Sequence, residues 1–344
     1  MNCGKRGGDI NTTSGKLHCT ISTRGYVRIA ITDGIDPSAK DRLVEIGHDV
    51  EERHYTNQEL LDGCIADFDV VIIRSATKMT SEVIYANSHK LSLIIRAGVG
   101  VDNIDIEAAN ENSVLVCNTP SSSTNAVVEL AIGHLISTNR RIIRGDVMLK
   151  NGIWGKKELR GSELRGKNLG LLGYGRIARG VADIAKIMGM NIHVYDPYLV
   201  KTDDDCIYHE NVESLFSSCT HVSIHCYLSE ETHHLVNREL ISIMPKIGAD
   251  GIFCGNHIVN CARGGIIDES DLLDSLINGD LTTAALDVFE IEPIVKNDLL
   301  KLENFQATPH IGASTFEAQN RIGMEIVSIV DDFSKGVKPG SSLN

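Results

Sequence analysis

The feature that most constrains this chain is a glycine turn set between two apolar runs. Leu169–Leu172 reads as a strand, Gly173–Gly175 as a tight turn opening a helix, and Ile192–Tyr195 as a second strand that ends at Asp196. An acid about 20 residues beyond the glycines completes the pattern of a dinucleotide-binding βαβ unit. The segment therefore predicts a parallel α/β fold with a nucleotide at the turn.

Each position in this unit has a physical role. Gly173 permits the tight turn, Gly175 lets the backbone approach a pyrophosphate, and Ala178 allows the helix to pack closely on the strand. Asp196 is expected to accept hydrogen bonds from the adenosine ribose and to repel a 2'-phosphate, which favours NAD over NADP. The nearest base beyond it is Lys201. The alternative is an ordinary glycine turn with no ligand.

Length and charge limit the class of protein. A chain of 344 residues exceeds the size at which single cores stop growing, so two domains are expected. A formal charge of -13 argues against nucleic acid and anionic membranes as partners, because both require a basic face. A small anionic substrate would need a local cluster of arginine and lysine inside this acidic protein.

Signals for targeting and for metal binding are missing from the sequence. No run of 18 apolar residues occurs, and Lys5 and Arg6 stand where a signal peptide would have its apolar segment, so we expect a cytoplasmic protein. The nine cysteines form no C-x-x-C pair and several lie in apolar runs. We therefore expect buried free thiols and no metal site.

Strand and helix patterns alternate through both halves of the chain. The expected strands are Val27–Thr32, Val70–Arg74, Leu93–Arg96 and Val114–Cys117, and beyond the glycine unit Val222–His225, His257–Asn260, Ala284–Val288 and Gln306–Ala307. One helical pattern, Ser123–Lys150, joins the halves, and another covers Phe316–Lys335. The alternation predicts an α/β protein with two doubly wound parallel sheets.

Several segments resemble the D-isomer-specific 2-hydroxyacid dehydrogenases. The three family signatures correspond to residues 260–265 (NCARGG), 286–293 (LDVFEIEP) and 308–315 (TPHIGAST). Within the family, the D-3-phosphoglycerate dehydrogenases are most similar at residues 74–78 (RSATK), 96–103 (RAGVGVDN) and 317–319 (EAQ). The similarity runs from about Val27 to Gly336 and implies a short form without the regulatory domain of longer members.

The resemblance also implies how the domains are organised. Residues 123–316 are expected to form a Rossmann-type NAD-binding domain, and residues 26–122 with 317–344 a flavodoxin-like substrate domain. Residues 1–25, which lack periodicity, are expected to be a disordered leader. A homodimer through the NAD-binding domain is implied, with Lys156 and Lys157 as candidate contributors across its interface.

The family pattern assigns three catalytic residues. They are the arginine of the Arg-Gly-Gly motif, Arg263, the glutamate before the proline, Glu292, and the histidine of the Pro-His motif, His310. His310 would act as acid and base, Glu292 would stabilise its protonated ring, and Arg263 would clamp the substrate carboxylate. Taken one by one, each also suits a structural role in a loop or at a helix end.

The resemblance implies further contacts. The cofactor would meet Gly173, Gly175, Arg176, Ile177, Ala178, Asp196, Cys226, Cys261, Ala262, Asp287, His310 and Gly312. The substrate would meet Arg74, Ser75, Lys78, Val99, Gly100 and Arg263. Within the second set, Arg74 and Lys78 are candidates for the substrate phosphate. For these two bases, and for Lys156 and Lys157, the alternative is solvated surface charge.

Two departures from the family pattern stand out. His225-Cys226-Tyr227 replaces the usual His-Thr-Pro beside the adenosine site, which removes a hydroxyl and a rigid proline. Residues Ala249–Asn256 are an insertion just before the strand that delivers Arg263, and we expect a surface loop there.

The function that the resemblance favours is NAD-dependent oxidation of 3-phosphoglycerate to 3-phosphooxypyruvate, the entry to serine synthesis. Reduction of glyoxylate or hydroxypyruvate is the alternative within the family, and the bases near the substrate phosphate distinguish the two. A third possibility, from a different class, is an NAD-sensing transcriptional corepressor on the same fold.

Overall fold

The computed structural model describes residues 25–199, 205–294 and 296–344. The leader expected over 1–25 lies outside these ranges except for its last residue, and Lys201 also lies outside them. The strands are β1 (Arg28–Ile31), β2 (Asp49–Glu52), β3 (Val70–Ile73), β4 (Leu93–Arg96), β5 (Leu115–Asn118), β6 (Asn168–Leu172), β7 (Asn191–Tyr195), β8 (Ile207–Tyr208), β9 (His221–Ile224), β10 (His257–Asn260), β11 (Thr283–Leu286) and β12 (Phe305–Ala307). The α-helices are α1 (Pro37–Ile46), α2 (Asn57–Leu61), α3 (Ser81–Asn87), α4 (Ile106–Glu111), α5 (Thr124–Arg140), α6 (Ile142–Lys150), α7 (Arg176–Ile187), α8 (Val212–Ser218), α9 (Arg238–Ser242), α10 (Glu269–Asn278) and α11 (Phe316–Ser334), with a 3₁₀ turn at Asp298–Lys301.

The first five strands form one parallel sheet in the order β2-β1-β3-β4-β5, which is the flavodoxin-like order. Ile29, Ile31 and Ile72 pack on one face beneath α11, while Ala30 and Ile73 pack on the other. Both faces are covered by helices, and for that reason the strands are continuous apolar runs rather than alternating ones.

The remaining strands form a parallel sheet in the order β12-β11-β10-β9-β6-β7-β8. Strand order reverses between β6 and β9, and the carboxyl ends of those two strands open the crevice in which such sheets bind ligands. The expected fold class, α/β with two doubly wound parallel sheets, is confirmed.

The prediction of a single helix over Ser123–Lys150 is wrong, because the structure has two helices there. Helix α5 ends where Arg141 takes a positive φ of 53°, and α6 begins at the next residue. The buried residues of α5 pack against α7 and the seven-stranded sheet, whereas no residue of α6 is buried. Apolar residues continue on both sides of Arg141, so the spacing alone does not reveal the break.

The sequence pattern also misses short elements at the sheet edges. Strand β2 reads Asp-Val-Glu-Glu, without the apolar run that marks its neighbours, because charged residues suit an exposed edge strand. Strand β8 has only two residues, too few for a periodic signal. Neither element contributes to the crevice.

The insertion before β10 forms a turn that is exposed over residues 249–253, whereas Cys254, Gly255 and Asn256 are buried, so only its first five residues form the expected surface loop. Ile247 pairs with Phe253 in an antiparallel bridge, and the Lys167 ammonium donates a hydrogen bond to the Asp250 carboxylate at its tip. Behind the turn, β10 begins at His257 in register with β9 and β11. The strand that carries Arg263 is therefore aligned with its neighbours in spite of the extra residues.

Helix α11 returns the chain to the five-stranded sheet. Its buried residues Ile322, Ile326 and Val330 join the core formed by β1 and α1. The helix begins at an N-cap, Thr315, whose hydroxyl accepts a hydrogen bond from the Ala318 N–H, and so it follows the histidine loop directly.

Among the described residues, no helix combines the length and apolar character needed to cross a membrane. Within the same ranges, no three or more His, Cys, Asp or Glu side chains are grouped as metal ligands would be. The cysteines that the structure describes are free thiols.

Candidate active site

The glycine turn lies at the carboxyl end of β6, in the crevice between β6 and β9. Gly173 has a φ of 86°, and its N–H donates to the Tyr195 carbonyl at 2.8 Å. The Asp196 carboxylate, just past β7, accepts from the Tyr174 N–H at 2.9 Å and from the Tyr198 N–H at 3.0 Å. These bonds hold the acid beside the turn, where the ribose of a dinucleotide lies in this fold.

The first turn of α7 is free of side-chain capping. Its N-cap residue, Gly175, has no side chain to accept from the helix N–H groups, and Arg176 at the first position is exposed. Ile177 is half-buried and Ala178 is fully buried against the sheet. Uncapped N–H groups at a helix amino end suit the pyrophosphate of NAD, so the residues present fit this cofactor.

A cavity of about 590 Å³ opens between the two sheets. Both sheets contribute polar side chains to its lining: Ser75, Lys78, Arg96 and Asp102 from one, and Arg263, Glu292 and His310 from the other. With Asp105 and Glu290, which also line it, the cavity combines three cationic side chains with a histidine and four carboxylates.

His310 and Glu292 are directly paired. The His310 Nδ1–H donates to Glu292 Oε2 at 2.6 Å, and the other carboxylate oxygen accepts from the Phe289 N–H at 2.9 Å. Although burial opposes it, these hydrogen bonds and the nearby Arg263 guanidinium lower the pKa of Glu292. The carboxylate is therefore charged at neutral pH, and Nε2 is the ring nitrogen left to meet a substrate.

The loop that carries His310 is held by Asp287, which is 1% exposed. Its carboxylate accepts from the Thr308 hydroxyl and from the N–H groups of Ile311 and Gly312 at 2.6 to 2.8 Å. His310 itself adopts a φ of 53°, a conformation unfavourable for a residue with a Cβ. Asp287 thus fixes a strained turn that presents the imidazole, in addition to lining the cofactor side of the crevice.

Arg263 follows β10 and reaches across the cleft. Its Nε–H donates to Asp102 Oδ1 at 2.8 Å, and its Nη1 donates to the Ala262 carbonyl at 2.7 Å. A Cβ on Gly100 would lie 1.5 Å from Nη2, so only glycine lets the guanidinium rest on this loop. Gly100, expected to meet the substrate, therefore lies against the expected clamp, and Val99 lines the same cavity as Arg263.

Arg96 is a site residue that the sequence reasoning missed. It lies at the end of β4, and a Cβ on Gly98, at φ 153°, would collide with its guanidinium. Burial and the neighbouring positive charge of Arg263 lower the pKa of Arg96 to about 10. The available signal was its position: a charged residue at the carboxyl end of a parallel strand, before a Gly-x-Gly loop, lies where such sheets bind ligands.

The expected phosphate-binding bases separate in the structure. Ser75 and Lys78 line the cavity, but Arg74 does not, and its Nη2 donates to the Gln319 side-chain oxygen at 2.8 Å. The Arg74 backbone N–H donates to Asp33 at 2.7 Å. Arg74 lies behind the cavity wall, near enough for its charge to act on Arg96.

A smaller cavity of about 120 Å³ adjoins the first and shares Arg96, Arg263 and His310 with it. Expected cofactor and substrate residues line it together: Val99, Gly100, Ile177, Cys226, Cys261, Ala262, Asp287 and Gly312. Burial raises the pKa of the Cys226 thiol to about 12 and raises that of Cys261 as well, so both are neutral walls rather than nucleophiles.

Comparison with known proteins agrees with this geometry. Residues 132–312 match the family described as D-isomer specific 2-hydroxyacid dehydrogenase, NAD binding domain. The chain belongs to the D-isomer-specific 2-hydroxyacid dehydrogenases. The resemblance found in the sequence is confirmed. The prediction that the cofactor is NAD is confirmed as well, because the matching family model is that of an NAD-binding domain.

Two curated members of this dehydrogenase family differ in how much of their length is matched. A hydroxypyruvate reductase of Thermotoga maritima is 43% identical over 304 residues, which cover 87% of this chain and 96% of that protein. A D-3-phosphoglycerate dehydrogenase of Methanocaldococcus jannaschii is 42% identical over 313 residues, covering 90% of this chain but 58% of that protein. The chain thus spans little more than half the length of its phosphoglycerate dehydrogenase relative.

Solved structures of the dehydrogenase family superpose over nearly the whole chain. The NAD⁺-bound 3-phosphoglycerate dehydrogenase of Entamoeba histolytica has a TM-score of 0.76 and 32% identity, covering 93% of this chain and 99% of its own. This chain is therefore an NAD-dependent oxidoreductase by family.

Proposed function

We propose that this dehydrogenase oxidises 3-phosphoglycerate to 3-phosphooxypyruvate. The observation that carries the proposal is the cavity in which Lys78, Arg96 and Arg263 face the His310–Glu292 pair. A substrate with both a carboxylate and a phosphate matches these three cationic side chains, because each of the four carboxylates that line the cavity has a partner within the protein: Asp102 accepts from Arg263, Asp105 from the Ala108 N–H, Glu290 from the Glu269 N–H and Glu292 from His310. A focused basic site is necessary in a chain of formal charge -13. Such a product is the class of keto acid that serine synthesis consumes.

The proposed roles follow from the contacts. Arg263, with N–H groups of Nη1 and Nη2 still unused, holds the substrate carboxylate and the developing carbonyl. His310 Nε2 takes the proton of the substrate hydroxyl, and Glu292 stabilises the imidazolium that forms. NAD, held at the glycine turn, would accept the hydride from the carbon that bears this hydroxyl.

Substrate binding also relieves an electrostatic cost within the protein. The charged form of Arg96 is disfavoured by burial and by Arg263 when the cavity holds no anion. A dianion placed between these guanidiniums reverses that repulsion. We propose that Arg96 and Lys78 bind the phosphate directly, with Arg74 adding its charge from behind the wall.

Reduction of hydroxypyruvate is the second candidate. It is favoured by the Thermotoga maritima relative named hydroxypyruvate reductase, which this chain matches over nearly all of that protein's length. Arg263, His310 and Glu292 would serve this reaction as well, because a substrate without a phosphate needs only a clamp for its carboxylate and a group that transfers the proton. The two candidate functions differ in whether Lys78 and Arg96 contribute to substrate binding.

The two candidates are separated by comparing kcat/KM for 3-phosphoglycerate and for D-glycerate with NAD. These substrates differ only in the phosphate. We expect the phosphorylated substrate to be preferred by at least about tenfold, the value of one charge-assisted hydrogen bond. Equal values, with efficient reduction of hydroxypyruvate by NADH, would favour the second candidate.

We further propose a homodimer assembled through the NAD-binding domain of residues 123–316. Support comes from α6, which has no buried residue. Large apolar side chains in α6 and in the segment after it are exposed to solvent: Ile142, Ile143, Val147, Leu149, Ile153 and Trp154. Trp154 is 81% exposed, and a patch of this kind is typical of an interface. Lys156 and Lys157 lie beside it.

The oligomeric proposal is tested by light scattering. Val147→Asp should convert a dimer to a monomer, because a charge on this face cannot be buried without a partner. Ile187→Asp, on the exposed end of α7, is the matched control and should leave the dimer intact. A monomeric wild-type chain would refute the proposal.

A further inference from the structure

Asp102 contacts the proposed clamp from the opposite side of the cleft. It lies in the loop after β4, on the five-stranded sheet, whereas Arg263 follows β10 on the seven-stranded sheet. The bond from Arg263 Nε to Asp102 Oδ1, at 2.8 Å, is a charge-assisted hydrogen bond between the two sheets. No role for this carboxylate follows from the proton or hydride chemistry described above.

The bond determines which part of the guanidinium remains available. Asp102 takes Nε–H, the Ala262 carbonyl takes one Nη1 hydrogen, and Nη2 rests over Gly100. The remaining N–H groups of Nη1 and Nη2 are the ones left for a carboxylate. A guanidinium that rotated about its own chain would offer a different edge.

Charge repulsion makes such an anchor necessary. Arg96 and Arg263 line the same cavities and act on each other as like charges, while Asp102 favours the charged form of Arg96. Without an acid beside it, Arg263 would gain by moving away from Arg96 toward solvent. The Asp102 side chain is about half exposed, at 46%, so it can take part in the cavity without a large burial cost.

We propose that Asp102 is a positioning residue that holds Arg263 on the Gly100 loop, so that the substrate carboxylate meets an already oriented guanidinium. This inference rests on the proposed function of Arg263 as the carboxylate clamp. Asp102 takes no part in proton transfer, and its proposed role is to connect the part of the site on the five-stranded sheet with the part on the seven-stranded sheet.

The sign of the effect distinguishes positioning from simple electrostatics. If Asp102 only weakened the positive potential of the cavity, its removal would strengthen anion binding. If it positions Arg263, its removal weakens anion binding even though a negative charge is lost. Asp105 offers a matched control, because it lines the same cavity and caps α4 through the Ala108 N–H but makes no contact with Arg263 among the described bonds.

The experiment measures oxalate binding to the complex of this protein with NADH by calorimetry, which requires no turnover. We expect Asp102→Ala to weaken oxalate binding about tenfold and Asp102→Asn, which keeps an acceptor oxygen, to weaken it less. Asp105→Asn should leave binding unchanged or slightly stronger. In an Arg263→Ala background, Asp102→Ala should have no further effect.

Two results would overturn the proposal. Tighter oxalate binding in Asp102→Ala would show an electrostatic role alone, and an equal loss in the Arg263→Ala background would show an action that does not pass through Arg263. Unchanged affinity for NADH and an unchanged melting temperature separate the effect from misfolding. Failure of the proposed function appears differently, as absence of turnover of 3-phosphoglycerate by a wild-type protein that still binds oxalate.

Discussion

The replacement Glu292→Gln tests the pairing at the centre of the site. The two side chains are about one-third exposed, and the His310 Nδ1–Glu292 Oε2 distance is 2.6 Å. A glutamine keeps only one acceptor oxygen in place of the two that accept from the His310 ring and from the Phe289 N–H, and it removes the negative charge. The loss is that of a charge-assisted bond partly screened by solvent, roughly 1.5 to 3 kcal/mol.

The consequence has a definite sign in each measurement. In the oxidation direction, the imidazole must be neutral to accept a proton, and the carboxylate favours its protonated form. Glu292→Gln should therefore lower kcat about ten- to hundredfold and move the acid limb of kcat/KM to lower pH. Because the pKa of Glu292 lies below its usual range, its own titration does not interfere near neutrality.

The assay is initial-rate kinetics with NAD and 3-phosphoglycerate from pH 5.5 to 9.5. Glu290→Gln is the control, since this neighbour lines the same cavity but bonds to the Glu269 N–H and faces His234 instead of His310. The control should keep the wild-type acid limb. A normal kcat and an unmoved limb in Glu292→Gln would refute the reasoning.

Three further predictions follow from separate parts of the molecule. Asp196→Ala should narrow the preference for NAD over NADP by about ten- to hundredfold without abolishing turnover, and comparable kcat/KM with both cofactors in the wild type would contradict the assigned role. Arg96→Met should raise KM for 3-phosphoglycerate about ten- to hundredfold with less effect on D-glycerate, and Arg74→Ala should do so more weakly from behind the wall; equal losses for both substrates would mean structural roles. Burial lowers the pKa of both His225 and His257 to about 4, so the unfolded chain binds more protons as pH falls from 6.5 to 4. Stability should fall through this window by up to about 3 kcal/mol for each ring, seen as a declining melting temperature with proton uptake on unfolding, and a flat profile would exclude it.

The parts of the fold that the sequence predicts are those with strong local signals. The apolar strands and the turn at Gly173 follow from periodicity and glycine spacing, since a parallel sheet buried on both faces demands them. The break at Arg141 and the charged edge strand β2 carry no such signal. Both depend on what packs beside them, which the local pattern does not contain.

The site divides in the same way. Motifs identify Arg263, Glu292 and His310, because their neighbours Gly-Gly and Pro are part of the local geometry. The contribution of Arg96 and the bond from Asp102 depend on two sheets closing over one cavity, so no spacing along the chain predicts them. Arg74 shows the opposite error. The motif predicts that it binds the substrate, but its side chain bonds to Gln319 and does not line the cavity.

The most direct test of the central claim is the turnover of 3-phosphoglycerate with NAD by the wild-type protein and by His310→Ala. Proton transfer by a positioned side chain is worth on the order of 10² to 10⁴ in rate, so kcat should fall by that factor while the affinity for NAD, measured by fluorescence titration, stays the same. A His310→Ala variant that turns over 3-phosphoglycerate as fast as the wild-type protein would contradict the mechanism.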